Sequence, residues 1–136
     1  MDEVLPKDIA QGATLRGNEY GWSVSIFPVA LERAVAYGYA CLGGQFQFRL
    51  DDGTTCEMHW LVAESVERAD GECWTDYSRR SCSEVLEKFR HLVSATDFDK
   101  EAASWPGQVD SKASLVFVAY FVLEAEWGSL STRNQH

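Results

Sequence analysis

The sequence predicts an α+β fold: a single domain in which an antiparallel sheet carries helices packed on one face. Three observations predict it. Apolar and polar residues alternate with period two near residue 20, across residues 45–62 and again from residue 115, which marks strands. Apolar residues recur at three- and four-residue spacing between those stretches, which marks amphipathic helices. The chain has 136 residues, 46% of them hydrophobic, enough for one core. Residues 18–127 are expected to form the domain. Residues 1–17, with few large apolar groups and with Gly12 and Gly17, read as a weakly structured lead-in, and the small, polar residues 128–136 as a flexible tail.

In chain order, Tyr20, Trp22, Val24 and Ile26 alternate with Glu19, Gly21, Ser23 and Ser25 in a half-buried strand. Pro28 takes a first-turn helical position, where its missing N–H costs nothing. Ala30, Leu31, Ala34 and Val35 follow on one helical face, with Glu32 and Arg33 opposite and Gly38 as the stop.

The hairpin from Gln45 to Val62 is the clearest local signal. Phe46, Phe48 and Leu50 form one face of its first strand, and Cys56, Met58, Trp60 and Val62 one face of its second. A two-residue turn at Asp52-Gly53 would set Phe48 opposite Glu57 and mix core with solvent. A three-residue loop with Gly53 left-handed pairs Leu50 with Thr54, Phe48 with Cys56 and Phe46 with Met58, which keeps the apolar face whole. Glu64 to Gly71 reads as a polar loop. Trp74, Tyr77, Cys82, Val85, Leu86, Phe89 and Val93 then mark a long helix, started either by Thr75 or by the capping box Ser81-Cys82-Ser83-Glu84. Thr96 or Asp97 caps a short helix that puts Phe98, Ala102 and Trp105 on one side and ends at Pro106-Gly107.

Leu115 to Trp127 is rich in β-branched and aromatic residues. It reads as a strand buried on both faces along its first half, with a buried helix as the alternative. The resulting order, β-α-β-β-α-(α)-β, is that of a ferredoxin-like split β-α-β sandwich. One feature conflicts with it: the last strand is an edge in that topology, yet here it is among the most apolar.

A net charge of −9 disfavours nucleic acid as a partner, because phosphates would be repelled. Aromatics at 12% and five Trp exclude a disordered acidic tail. The longest apolar run, Leu115 to Leu123, is about half of the roughly 20 residues a bilayer span needs, so no membrane partner is expected. No basic-then-apolar leader follows Met1-Asp2-Glu3, which makes the cytoplasm the expected compartment. Cys41, Cys56, Cys73 and Cys82 form no C-x-x-C pair and are expected to be ordinary thiols, mostly buried.

No catalytic fingerprint, metal motif or cofactor motif is present, so neither a cofactor nor a metal is expected and recognition is favoured over catalysis. Gly12 and Gly17 have phosphate-loop spacing, but Asn18-Glu19 replaces the required Lys-Ser/Thr. Cys56 and His59, three apart on a strand, point to opposite faces and cannot share a proton or a metal. His91 lies on the polar side of the long helix.

Two features remain as candidate binding surfaces. The polar face of the hairpin sets Gln47 opposite Glu57, Gln45 opposite His59 and Arg49 opposite Thr55, with Arg49 and Glu57 near enough diagonally for an ion pair. The loop that follows carries Glu64, Glu67, Asp70, Glu72 and Asp76 against a single Arg68, and would steer a basic partner. Arg79 and Arg80 beyond it are expected to pair locally with acids. A small, acidic, soluble α+β chain with these two surfaces and no catalytic constellation resembles the immunity proteins of bacterial toxin systems. The resemblance is one of type and transfers no residue. It implies a bacterial, cytoplasmic protein that neutralises a toxin or enzyme by blocking its basic site, as a monomer or homodimer. Two other readings stand beside it: a small-molecule site lined by Trp22, Trp60, Tyr120 and Trp127, and a structural homodimer paired through the last strand.

Overall fold

A computed structural model describes residues 5–105, 109 and 113–127. Its elements are α1 (Lys7–Ala10), β1 (Ala13–Arg16), β2 (Glu19–Trp22), α2 (Phe27–Ala36), β3 (Ala40–Arg49), β4 (Thr55–Glu64), α3 (Trp74–Ala95), α4 (Phe98–Ala103) and β5 (Ser114–Val122). The five strands form one antiparallel sheet in the order β1-β2-β5-β3-β4, with α2 and α3 packed on one face. This is the expected α+β class.

The strand order resolves the conflict over the last strand. β5 pairs with β2 on one side and with β3 on the other. Both pairings are antiparallel, so β2 and β3 run parallel to each other, with α2 crossing between them and β5 inserted in the gap. The sandwich is therefore split by its last strand, which is interior where the ferredoxin-like order makes it an edge. That is why Val116, Phe117, Val118 and Ala119 are all buried. β5 is paired on both edges, along its length by β3 and over two residue pairs by β2.

The turns follow local chemistry. α2 ends in a Schellman motif: Gly38, at φ 80°, donates its N–H to Val35 O (3.0 Å), and Tyr39 N–H reaches Ala34 O (2.9 Å). The β3–β4 turn takes the three-residue form. Leu50 N–H donates to Thr54 O (2.9 Å), Gly53 sits at φ 93°, and Phe48 pairs with Cys56 and Phe46 with Met58. Asp97 caps α4 through Lys100 N–H (3.1 Å). Pro106 and Gly107 lie outside the described residues, as do 128–136.

Three boundaries differ from expectation. β2 stops at Trp22, and Val24 and Ile26 fall in a turn that leads into α2. β5 stops at Val122 and is followed by a helical turn over residues 124–127. α3 begins at Trp74 with Cys73 as its N-cap, not at Thr75 or Ser81. Ser81 instead lies inside the helix, wholly buried. Its hydroxyl accepts from Cys41 N–H (3.1 Å) and donates to Ser78 O (3.1 Å), tying α3 to the start of β3.

The core lies between the sheet and α2 and α3. Phe27 packs between Phe89 (ring centroids 4.8 Å apart) and Phe117 (4.6 Å), and Phe46 closes the group at 4.9 Å from Phe117. Residues 5–17, which the sequence leaves weakly structured, carry α1 and β1. Ile9 is fully buried, and its carbonyl accepts from the Trp22 indole N–H (3.0 Å). That bond, with those from Arg33 and Tyr37 to Asp8, ties down a segment with little apolar content of its own.

The sheet also curls. β1 and β3 are separated in the sheet by β2 and β5, yet Arg16 on β1 donates to Leu50 O (2.6 Å) and Thr54 O (3.2 Å) at the β3–β4 turn. β2 and β5 share only the pairs Gly21–Val118 and Trp22–Phe117, which lets the β1–β2 hairpin swing round. The sheet face away from the helices is therefore concave and partly closed at one end.

Candidate functional site

This concave face carries the hairpin residues singled out from sequence, and the structure divides them in two. Gln47 and Arg49 are buried, at 1% and 3% exposure, rather than forming part of a solvated platform. The Arg49 guanidinium lies under the β1–β2 hairpin. It donates from Nε to Gln47 Oε1 (2.8 Å), from Nη1 to Thr14 O (2.7 Å) and Oγ1 (2.8 Å), and from Nη2 to Glu19 O (3.0 Å). It makes no ion pair with Glu57. Burial lowers the Arg49 pKa from its ordinary value, and it remains a cation held by neutral oxygens. Gly21 makes room for it: a methyl there would lie 3.0 Å from Arg49 Cζ and 2.8 Å from Val116 Cγ2. The Gln47 amide nitrogen is buried without a hydrogen-bond partner.

Gln45, Glu57 and His59 form an outward-facing network at the other end of the hairpin. Gln45 Nε2 donates to Glu57 Oε1 (3.2 Å), and His59 Nδ1 lies 3.3 Å from Gln45 Oε1. An amide oxygen only accepts, so Nδ1 carries the proton in that bond. His59 Nε2 lies 3.9 Å from Glu57 Oε2, and the imidazole is exposed. The register here differs from expectation. Gln47 faces Glu57 and Arg49 faces Thr55 as expected, but Gln45 faces Val62, because β4 bulges between Met58 and Val62. The amide side chain still reaches His59. Cys56 points to the opposite face, into the core.

The sequence pattern marked Tyr120 only as a pocket aromatic; the structure places it on this face together with Glu19. The Tyr120 hydroxyl donates to the Glu19 carboxylate, and burial, reinforced by that bond, pushes the phenol up to about 12. Tyr120 is the one polar side chain in the apolar stretch Leu115–Leu123, a signal that had been available. Beside it lies a cavity of about 320 Å³ lined by Gly43, Gly44, Gln45, Val62 and Glu64.

The acidic loop is not uniformly available either. Glu67, Asp70 and Asp76 are exposed, as is Glu64 at the end of β4. Glu72 is drawn inward: Arg80 Nε (2.8 Å) and Nη2 (2.9 Å) grip its two oxygens, and Ala69 N–H donates to it (3.0 Å). Arg80 also holds Glu84, Val66 O and Glu67 O, while Arg68 donates to Glu72 O and lies over the rings of Trp74 and Trp127. Arg80 thus pairs locally with acids, and the loop is clamped to α3.

The Arg80 hydrogen bond holds the Glu72 carboxyl at about 2, below its ordinary 4.5. A lowered folded-state pKa supplies stability that is complete above 4.5 and lost as pH falls toward 2. Acid titration followed by tryptophan emission is therefore expected to show a steeper loss of stability over that window in the wild type than in Glu72→Gln. Equal slopes would exclude the clamp as an acid-sensitive element.

No family model matches the chain, and no curated protein or solved structure is similar enough to count as a match. Function must therefore be argued from the arrangement itself. Among the described residues, no group of three His, Cys, Asp or Glu is placed to hold a metal ion, and no helix is long and apolar enough to cross a membrane. Burial raises the Cys41 thiol well above its ordinary value and the Cys82 thiol to about 11, so neither is a ready nucleophile near neutral pH. The four aromatics considered as a pocket are dispersed. Trp22 is in the main core, and Trp127 packs with Trp74 and Tyr77. Trp60 bonds Glu101, and Tyr120 bonds Glu19.

Proposed function

We propose that this chain is a protein-recognition module that engages a basic surface of another protein, in the manner of an immunity protein occupying a toxin's basic cleft. One observation carries the reading: apart from the exposed Arg79, cationic side chains around the concave face and the loop are used internally, while carboxylates face outward. Arg16, Arg49, Arg68 and Arg80 each bond backbone or side-chain oxygens of this chain, and Lys88 donates to Glu64 O (2.6 Å). Glu64, Glu67, Asp70, Asp76 and Glu87 are exposed, and Glu57 is half-exposed on a rigid strand. Fixed carboxylates of one sign raise the rate of encounter with a basic partner and make it salt-dependent.

The test is paired capture from a bacterial lysate with wild type and with the triple variant Glu57→Lys, Glu67→Lys, Asp70→Lys. Glu72 is spared because it holds the loop. A basic protein that the wild type retains, inhibits and releases at high salt, and that the variant loses, supports the reading. Equal retention by both chains overturns it.

A further inference from the structure

β1 and β4 are the outer strands of the sheet, and β4, with ten residues, is much the longer. Among the described residues no strand pairs with its outer side. A free edge exposes main-chain donors and acceptors that can template another strand. Part of β4 is protected: the bulge between Met58 and Val62 distorts it, and Trp60 is pinned to Glu101 (3.0 Å). Beyond the bulge the ladder is regular from Val62 to Glu64.

Two cavities meet at this regular stretch, one on each face of the sheet, and Val62 lines both. On the concave face is the cavity of about 320 Å³ that Glu64 and Tyr120 border. On the helix side is one of about 430 Å³ bordered by Glu84, Glu87, Lys88 and Leu92. Successive side chains of a strand point to opposite faces, so a segment laid along β4 would enter the two cavities in turn. Each offers apolar wall and carboxylate: Val62 with Glu64 on one side, Val62 and Leu92 with Glu87 on the other. Glu84 is already engaged by Arg80, and Lys88 bonds the Glu64 main-chain carbonyl, so an added strand pairs first through Val62 and displaces that ammonium to reach Glu64.

We infer that the Val62–Glu64 edge of β4 receives an extended, lysine- or arginine-bearing segment of the partner as an added antiparallel or parallel strand. The inference rests on the recognition reading above. Main-chain bonds would supply affinity, and the two acid-rimmed cavities would select basic and aliphatic side chains at alternate positions.

The probe is a short capped peptide alternating lysine and valine, with two comparisons: the same peptide N-methylated at alternate amides, and a glutamate–valine version. Amide hydrogen exchange of the full chain is the readout. The lysine–valine peptide is expected to slow exchange in residues 61–65 selectively. N-methylation, which removes donors without changing charge, should abolish that protection. Val62→Lys, at a position 36% exposed and thus tolerant of change, should weaken binding about tenfold, or about 1.4 kcal/mol. Equal binding of the N-methylated peptide would reduce the interaction to charge attraction and overturn strand addition. So would protection elsewhere, or none. Protection of residues 61–65 without peptide, rising with protein concentration, would make the occupant a second copy of this chain. The two readings fail separately. A partner lost by the triple charge variant but kept by Val62→Lys leaves recognition standing and removes strand addition.

Discussion

Gly44→Ala is expected to destabilise the fold by about 4 kcal/mol or more, enough to unfold a marginal domain. A Cβ at Gly44 would lie 2.0 Å from Val118 O, with Phe117 Cε2 and Val118 C both at 2.8 Å. The first and last of these belong to the β5 main chain, which cannot move aside as a flexible side chain would. β5 pairs with β3 over nine registered positions at the centre of the sheet, so pushing it away disturbs the core pair Phe46–Phe117 as well as the ladder. Gly53→Ala is the internal comparison. Its Cβ would meet nothing within 4 Å, and only its φ of 93° is unfavourable, so the cost should be about 1–2 kcal/mol. Denaturant unfolding of the two variants decides the matter. Equal, small losses would mean that β3 and β5 do not cross this closely.

Gly44 also marks how far the sequence could be read. The hairpin turn and its register between Phe46 and Arg49 were legible, because only one loop length keeps Phe46, Phe48, Cys56 and Met58 on a common face. The interior position of β5 was legible as an anomaly, since a strand apolar on both faces needs neighbours on both edges. What identified those neighbours was not local. The β2–β5 pairing consists of two residue pairs, and the curl that brings Arg16 to Leu50 depends on residues 34 apart in sequence. α1 and β1 have four residues each, too short for periodicity to register.

The candidate site divides along the same line. Gln45, Glu57 and His59 keep the face that alternation assigned to them, but alternation cannot tell a solvated face from a concave one covered by a distant hairpin, so Gln47 and Arg49 were misread as exposed. Glu72 looked like its acidic neighbours. Only the return of α3 past the loop, carrying Arg80 eight residues on, takes it out of the exposed set.

Arg49→Met is expected to cost about 3 kcal/mol, since it strands the buried Gln47 oxygen, at about 1–3 kcal/mol for an unmade buried acceptor, and also removes the bonds to the part-buried Thr14 and Glu19 oxygens. The acceptors are Gln47 Oε1, Thr14 O, Thr14 Oγ1 and Glu19 O, spread over β3, β1 and β2. The loss should be local before it is global: amides of Ala13–Arg16 are expected to exchange faster while those of β3 and β5 keep their protection. Arg49→Lys should recover part of the stability, because an ammonium keeps the charge but cannot span three strands with a planar fork. The sharper test is Gln47→Met combined with Arg49→Met. Among the described residues, the buried Gln47 amide nitrogen has no partner and its oxygen accepts from Arg49 alone. Replacing both removes the stranded acceptor together with the donor that was never satisfied, so the double variant should be more stable than the sum of the single losses predicts. Strict additivity would mean that Arg49 acts through Thr14 and Glu19 alone. Sub-additivity would establish Gln47 and Arg49 as one polar unit, whose work is to fix the curl of the sheet and so the shape of the concave face on which Tyr120, Gln45 and Glu57 are presented.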